Sequence, residues 1–203
     1  MNKVSLRKEF KFFGENIQDV LSSLGPYQVS RAASEIHTTY FDTIDLRNLR
    51  NSMDGQDIRV QYRFRYYGSK NDKKAEESGK LHIKTTTPFG DYKVHLDTTR
   101  QNVENMLTIR VGQQVRKFMV ISYRRQYFKN SFGMRITLDS NIRSNYIGAR
   151  ISSDQSYIWS SNVLEIKLPF LFEDRADQIF KLTSKEARFS KIERAAELAG
   201  LVQ

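Results

Sequence analysis

The 203-residue chain contains no cysteine. Disulfide bonds and thiolate chemistry are therefore excluded, and the absence is typical of a cytoplasmic protein, because that compartment keeps thiols reduced. No apolar run approaches the roughly 20 residues of a membrane-spanning helix, and the N-terminus lacks the apolar region of a signal peptide. We expect any membrane attachment to come from a membrane-protein partner.

The sequence also lacks the motifs of several common enzyme classes. It has no glycine-rich phosphate loop of the Walker type, no CxxC pair and no GxSxG motif, so the mechanisms that depend on them are set aside. Two of the three histidines, His37 and His95, show no spacing typical of metal ligands.

Positive charge is in excess, with 33 lysines and arginines against 23 aspartates and glutamates, for a net charge of +10. This excess indicates an anionic partner, which could be nucleic acid, a membrane surface or a phosphate-rich small molecule. A hydrophobic fraction of 39% and an aromatic fraction of 12% support a packed core. We expect one domain over residues 1–203, because no linker or internal repeat divides the chain.

The segment IRVQYRFRYY, residues 58–67, alternates basic and apolar side chains. Its arginines stand at odd positions, Arg59, Arg63 and Arg65, and apolar or aromatic residues fill the even positions between them. Because successive side chains of a β-strand point to opposite faces, the segment predicts a strand with one cationic face and one apolar face.

Four further segments show the same alternation. Their charged or polar residues recur two apart at Glu9 and Lys11, His82 and Lys84, Arg135, Thr137 and Asp139, and Glu165 and Lys167. Charges are costly to bury unless they are paired, so five such faces must contact water or one another. They fit an open, solvated sheet, and they also fit a barrel that turns them inward around a polyanion and a metal ion. Periodicity alone leaves both arrangements open.

Helices and further strands are predicted from hydrophobic spacing and turn residues. We expect helices over residues 15–24, 45–51, 98–109 and, as a pair joined by a loop through Lys191, 175–202. We expect strands over residues 35–43, 80–87, 91–96, 117–128, 134–142 and 162–168. The polar segment 68–79 predicts a flexible hairpin loop.

Eight short motifs follow one another between about Arg7 and about Lys191. They are R-K-E-F-K-F, Y-F-D, R-F-R-Y-Y, L-H-I-K, Y-R-R-Q-Y-F, R-I-T-L-D, L-E-I-K and F-S-K. In this order they resemble the VTC domain, the polyphosphate polymerase domain of the vacuolar transporter chaperone complex, in the CYTH-like triphosphate tunnel superfamily. The resemblance implies a mainly β (α+β) fold, a closed tunnel of eight antiparallel strands flanked by helices.

The resemblance also implies a site in which basic residues bind a triphosphate or polyphosphate chain and carboxylates bind Mn²⁺ or Mg²⁺. Carried over by motif, the phosphate-binding residues are Lys11, Arg63, Arg65, Lys84, Arg125, Arg135, Lys167 and Lys191. Those expected to act in catalysis are Arg63, Arg65, Lys84, Arg125, Arg135 and Lys167. Glu165 would bind the metal with help from Glu9. The chain departs from the family at His82, where the usual motif L-E-I-K has a glutamate.

These expectations lead to a metal-dependent polyphosphate polymerase that transfers the γ-phosphate of ATP onto a growing polyphosphate chain. A triphosphatase or polyphosphatase using the same tunnel is the nearest alternative, since only the attacking group differs. The missing carboxylate at His82 leaves open a non-catalytic sensor of polyphosphate or an inositol polyphosphate. Nucleic-acid binding is disfavoured, because carboxylates stand between the basic residues.

Each site residue also has a plainer interpretation. Glu9 with Lys11 and Glu165 with Lys167 could be no more than ion pairs within the sheet, which stabilise a protein by about 0–1 kcal/mol when exposed. Asp139 could bind the metal, or it could orient a neighbouring arginine through a salt bridge. Asp42 is expected to cap a turn rather than to contact substrate.

Overall fold

The computed structural model describes residues 7–14, 17–68, 77–131, 133–148, 156–169 and 190–201. Contacts between residues divide the chain into two compact units. Unit 1 contains residues 1–34, 124–142 and 159–189, and unit 2 contains residues 35–123, 143–158 and 190–203.

Over the described ranges the chain forms nine strands, four α-helices and one 3₁₀ turn. The strands are β1 (Arg7–Phe13), β2 (Gln28–Thr43), β3 (Arg59–Tyr67), β4 (Ser78–Thr87), β5 (Gly90–Thr99), β6 (Val115–Lys129), β7 (Arg135–Tyr146), β8 (Ser156–Ile158) and β9 (Val163–Pro169). The helices are α1 (Ile17–Ser23), α2 (Arg47–Met53), α3 (Val103–Val111) and α4 (Lys191–Leu198). None of these helices is long and apolar enough to cross a membrane.

The strands pair in the order β1-β9-β7-β6-β2-β3-β4-β5, and β8 pairs with β7. The pairs β1–β9, β7–β9, β7–β8, β2–β3, β3–β4 and β4–β5 are antiparallel. The mainly β, antiparallel class expected from the sequence is therefore confirmed. Eight strands follow the main order and β8 adds a short ninth, while closure into a barrel stays a prediction.

Most expected elements are present, with ends that differ by a few residues. The largest differences are in β2, which begins at Gln28 rather than at residue 35, and in β5, which continues to Thr99 where a helix was expected from residue 98. The added part of β2 is mostly exposed, so it lacks the apolar alternation that reveals a strand. Residues 69–76 of the expected loop, and residues 175–189 of the expected helix and loop, lie outside the described residues.

The apolar face of the sheet in unit 1 packs against α1. The buried cluster contains Phe10, Phe12, Ile17, Val20, Leu21, Leu24, Met134, Ile136, Leu164, Ile166 and Leu168. Burying a side chain of this kind stabilises the fold by about 1.5–3 kcal/mol. Because these strand residues alternate with Glu9, Lys11, Glu165 and Lys167, packing the apolar face against α1 directs the charged residues to the opposite face.

Unit 2 repeats this arrangement with a different helix. Its buried cluster contains Phe41, Phe64, Tyr66, Leu81, Ile83, Val103, Leu107 and Val115, so α3 covers the apolar face of β3 and β4. Phe64 stands between Arg63 and Arg65 and is 0% exposed. Burial of this one ring therefore determines which way both arginines point.

Phe64→Ala is expected to lower the free energy of unfolding by about 3–5 kcal/mol, because it removes a buried aromatic ring and leaves a cavity. Urea unfolding followed by circular dichroism measures the change. Tyr67→Ala is the matched control, since Tyr67 ends the same strand and is 50% exposed. Equal losses in the two variants would contradict a core role for Phe64.

Candidate functional site

Cations and carboxylates alternate across three strands of unit 1. Two neighbouring rows cross β1, β9 and β7: Glu9–Lys167–Arg135 and Lys11–Glu165–Thr137. The strand alternation places all six residues on the face opposite the apolar cluster. Five of the six are residues that the sequence motifs had singled out for phosphate or metal binding.

Ion pairs connect these rows. Lys167 Nζ lies 2.5 Å from Glu165 Oε1 and 3.4 Å from Glu9 Oε2, and Lys11 Nζ lies 3.2 Å from Glu9 Oε1. The Lys167, Lys11 and Glu9 side chains are each about one-third exposed, so such pairs stabilise the protein by only about 0–1 kcal/mol. These ion pairs matter because they hold the Lys167 ammonium group between the Glu9 and Glu165 carboxylates.

Among the described residues of unit 1, Arg125 and Asp139 form the most buried ion pair. Arg125 Nε and Nη2 donate to the two oxygens of Asp139 at 2.6 and 2.7 Å, and the Asp139 side chain is 0% exposed. Arg125 Nη2 also lies 3.8 Å from Glu165 Oε2. Of the two roles considered for Asp139, the structure shows the orienting one: it holds the Arg125 guanidinium beside Glu165.

A pocket of about 370 Å³ opens among these charged groups, entirely within unit 1. Its lining includes Arg31, Arg125, Arg135, Glu165 and Lys167, together with Thr137. The Thr137 hydroxyl is buried and has no hydrogen-bond partner within the described residues. The pocket therefore offers three arginines and an unsatisfied hydroxyl to an anion.

Arg31 is a member of this pocket that no sequence motif predicts. It lies in the early part of β2, which was not predicted as a strand, and its guanidinium carbon is 3.5 Å from the centre of the Tyr127 ring. Such a contact over an aromatic face holds the guanidinium in place. No motif in the sequence distinguishes Arg31 from other surface arginines.

The polar face of unit 2 carries Arg63, Arg65 and Lys84, again as expected. Arg65 Nε donates to Thr38 Oγ1 at 3.1 Å, and Lys84 Nζ lies 2.9 Å from Asp91 Oδ2. The strand register places Arg63 opposite His82. Two arginines and the histidine that departs from the family motif therefore share one face of one unit.

Arg63 and His82 are unusual because each has a buried nitrogen without a hydrogen-bond partner in the described part of the chain. These atoms are Arg63 Nε and His82 Nδ1. Burial, followed by the nearby charge of Arg63, lowers the pKa of His82 to about 3. Burial and the neighbouring Arg65 likewise lower the pKa of Arg63, although a guanidinium stays charged in proteins.

Lys191 and Asp42 complete the residues considered from the sequence. Lys191 begins α4 instead of lying in a loop, and its Nζ is 5.2 Å from the centre of the Tyr123 ring, also in unit 2. Asp42 accepts hydrogen bonds from the backbone N–H groups of Asn48 and Leu49 at 3.1 and 2.8 Å. Asp42 thus caps the start of α2, whereas the sequence had indicated a capped turn.

The arrangement places Glu9, Lys11, Arg125, Arg135, Glu165 and Lys167 together in unit 1, and Arg63, Arg65, Lys84 and Lys191 in unit 2. Within the described ranges, no group of three or more histidine, aspartate or glutamate residues could hold a metal ion. Glu9 and Glu165, which share the Lys167 ammonium, are the carboxylates placed to attract a cation. The roles assigned to individual residues stay predictions.

In each unit, antiparallel strands carry basic residues on one face and an apolar, helix-covered surface on the other, which defines the chain as a mainly β protein. The family model of the VTC domain matches residues 3–197. The chain therefore belongs to the VTC domain family, and the resemblance inferred from the sequence motifs is confirmed. No curated protein matches the sequence.

Solved structures show the same fold at low sequence identity. The protein PH1819 of Pyrococcus horikoshii OT3 superposes with a TM-score of 0.56 at 12% identity, over 95% of this chain and 99% of that one. A Hippeastrum protein described as having a dominant triphosphatase activity superposes with a TM-score of 0.52 at 12% identity, over 98% of each chain. Identities this low extend the likeness to the fold alone.

Arg125→Met is expected to lower the free energy of unfolding by about 3–5 kcal/mol, because it leaves the buried Asp139 carboxylate without its charged partner. Adding Asp139→Asn should recover part of the loss, since a neutral amide is easier to bury than an unpaired charge. Arg135→Met is the control, because Arg135 lines the same pocket but is exposed. Urea unfolding of the four proteins gives the comparison, and similar losses in Arg125→Met and Arg135→Met would argue against the buried pair.

Proposed function

We propose that this protein is a metal-dependent polyphosphate polymerase that transfers the γ-phosphate of ATP onto a growing polyphosphate chain. The proposal is supported above all by the interleaving of carboxylates with cations on the unit 1 face, in a chain that belongs to the VTC domain family. A face of cations alone would suit any polyanion. Carboxylates among them suit a phosphate chain that arrives with a divalent cation.

The basic residues would carry most of the catalytic work. Phosphoryl transfer proceeds through a loose transition state, so the protein contributes mainly positioning and neutralisation of the charge on the transferred oxygens. We assign this role to Arg63, Arg65, Lys84, Arg125, Arg135 and Lys167. Arg125 is the best prepared of them, because Asp139 fixes the plane of its guanidinium before any ligand binds. Lys11 and Lys191 are proposed to bind phosphate without acting in the transfer.

The donor set fits Mn²⁺ or Mg²⁺ bound chiefly through its substrate. Glu165 and Glu9 would supply hard carboxylate oxygens to the ion. The Lys167 ammonium lies between these two carboxylates, so this position already attracts a positive charge. When bound, a divalent ion held by Glu165 and Glu9 would help neutralise the negative charge of the phosphate chain. Lys167 would then turn from the two carboxylates to the phosphate chain.

The Hippeastrum relative with its triphosphatase activity favours a second candidate function, hydrolysis of triphosphate or polyphosphate. Polymerase and hydrolase would use the same phosphate-binding residues and differ in whether a phosphate chain or water attacks. We place the polymerase first because the VTC domain resemblance covers nearly the whole chain. The closed tunnel, the single domain and the cytoplasmic location are proposed on the same ground.

Incubation of the purified protein with ATP and Mn²⁺ is expected to yield a ladder of polyphosphate on a stained gel. Arg135→Ala should lower the initial rate by about 10²-fold, by loss of a preorganised charge. Arg47→Ala is the control, because Arg47 is an exposed arginine of α2 outside either charged face. Release of free phosphate without a polyphosphate ladder would establish the hydrolase instead. If neither product forms, the non-catalytic sensor becomes the remaining candidate function.

Glu165→Gln tests the metal site, since it keeps the volume of the side chain and removes its charge. Activity should be lost and Mn²⁺ affinity should fall about tenfold or more. Metal-free binding of tripolyphosphate should persist or tighten, because a negative charge has left the face. Isothermal titration measures both affinities, with Glu197→Gln on the surface of α4 as the control. Equal Mn²⁺ affinity in the wild type and in Glu165→Gln would show that Glu165 is not a ligand.

A further inference from the structure

Two histidines face each other on the basic face of unit 2. The register aligns Arg63 of β3, His82 of β4 and His95 of β5 in one row across the sheet. The two imidazole rings meet edge to face, with 4.4 Å between their centres and an angle of 78° between their planes. His82 is also the residue at which the chain departs from the family motif.

Positive groups surround the pair on every neighbouring strand. Those facing it are Arg63 and Arg65 on β3, Lys80 and Lys84 on β4, and Lys93 on β5. Tyr40 of β2 lies opposite Arg63, and Tyr123 of β6 also lies near that guanidinium.

The carboxylates of this face are engaged elsewhere. Asp97 lies 3.5 Å from Lys80, and Asp91 lies 2.9 Å from Lys84 and 3.9 Å from Lys93. In the described part of unit 2, the ion pairs of both carboxylates are therefore with lysines and not with a histidine. A proton added to either imidazole would be repelled by the arginines and lysines around it.

The row also contains the two buried nitrogen atoms that have no partner among the described residues, Arg63 Nε and His82 Nδ1. A guanidinium nitrogen is always a donor, and a protonated imidazole donates from both of its nitrogens. A buried polar atom without a protein partner is a place where water or an ion binds. A single anion that accepts from both nitrogens would satisfy the row, because His82 donates from Nδ1 both as the neutral Nδ1–H tautomer and when it is protonated.

We propose that a phosphate group bound at Arg63 is bound together with a proton, which the His82–His95 pair accepts. The negative charge of the phosphate cancels the repulsion from the surrounding arginines and lysines, and its oxygens accept a hydrogen bond from His82 Nδ1–H. The proposal rests on the proposed function only in taking phosphate as the ligand; it needs neither metal nor transfer. We assign the proton to the pair, because two titrating groups in contact take up protons jointly.

The free protein supports the direction of this linkage. Burial and Arg63 lower the pKa of His82 to about 3, and burial also lowers the pKa of His95. The pair is thus neutral near pH 7 until the anion arrives. Between the pKa of the free pair and that of the bound pair, binding takes up a proton, so affinity falls as pH rises, by up to about tenfold per pH unit.

Trimetaphosphate, the cyclic triphosphate, is the probe for this effect, because each of its phosphate groups is a strong acid and its own charge is constant from about pH 5 to about pH 8. Calorimetric titration at about pH 6, in two buffers of different ionisation enthalpy, gives the number of protons taken up. We expect up to about one proton per bound anion. In His82→Gln this uptake should be lost, while affinity at about pH 8 changes less than threefold.

Nuclear magnetic resonance gives the second readout, since the chain has only three histidines. On adding trimetaphosphate, the pKa of His82 should rise from about 3 to about 6 or above, because uptake of most of a proton at about pH 6 requires it. His37 is the internal control, because it lies away from this row. Its ring stacks on Tyr66 with 4.7 Å between ring centres, and its Nε2 donates a hydrogen bond to the Gly68 carbonyl. A His95→Gln variant should retain uptake, because His82 carries the Nδ1 that has no partner in the described ranges and loses a neighbour that lowers its pKa.

The results of these titrations test the proton-linked site independently of the proposed polymerase activity. Trimetaphosphate binding without proton uptake, uptake that survives in His82→Gln, or no binding at all would each overturn the proton-linked site. None of these results depends on whether the protein makes or cleaves polyphosphate. Uptake lost in His82→Gln would support the linked site even in a protein that shows neither activity.

Discussion

Every strand that carries the site must keep charges on one face and apolar side chains on the other. This constraint governs the structure because a helix can cover only an apolar face, and because unpaired charges are costly to bury. In unit 1, α1 covers Phe10, Leu164 and their neighbours, so Glu9 and Glu165 turn to the opposite face. Packing energy therefore positions the charged residues.

The two units meet the problem of crowded charge in different ways. Unit 1 alternates carboxylates with cations, so that Lys167 has two acidic neighbours and Arg125 has a buried one. On the described face of unit 2, Asp91 and Asp97 pair with lysines, and burial beside Arg63 keeps His82 neutral instead. A neutral imidazole avoids adding one more positive charge to the face in the absence of an anion.

This difference suggests a division of labour within the proposed activity. Carboxylates suit the face on which a divalent cation accompanies phosphate, and the mainly cationic face suits phosphate alone. The two faces also differ in how firmly their arginines are held before a ligand binds. Asp139 fixes Arg125 through hydrogen bonds, while Arg63 Nε has no partner in the described residues. The Arg125 guanidinium is therefore oriented before the ligand binds. In the row of Arg63, His82 and His95, the proposed anion supplies the missing hydrogen-bond acceptor.

The sequence by itself determined the local features: which segments are strands, which residues share a face, and the family to which the motifs belong. Period-two alternation is a local signal, so Arg63 with Arg65 and Glu165 with Lys167 could be placed correctly without any structure. The early part of β2 and the three-residue β8 were missed, because an exposed strand and a very short one show no such alternation.

Only the tertiary structure decided which residues meet across strands. Pairing of strands distant in sequence placed Asp139 on Arg125, brought Arg31 into the pocket and aligned Arg63, His82 and His95. Register and burial set these contacts, and neither is encoded in the spacing of one strand. The sequence thus supplied the charged residues, and the folded chain decided which of them were paired and which were left to meet a ligand.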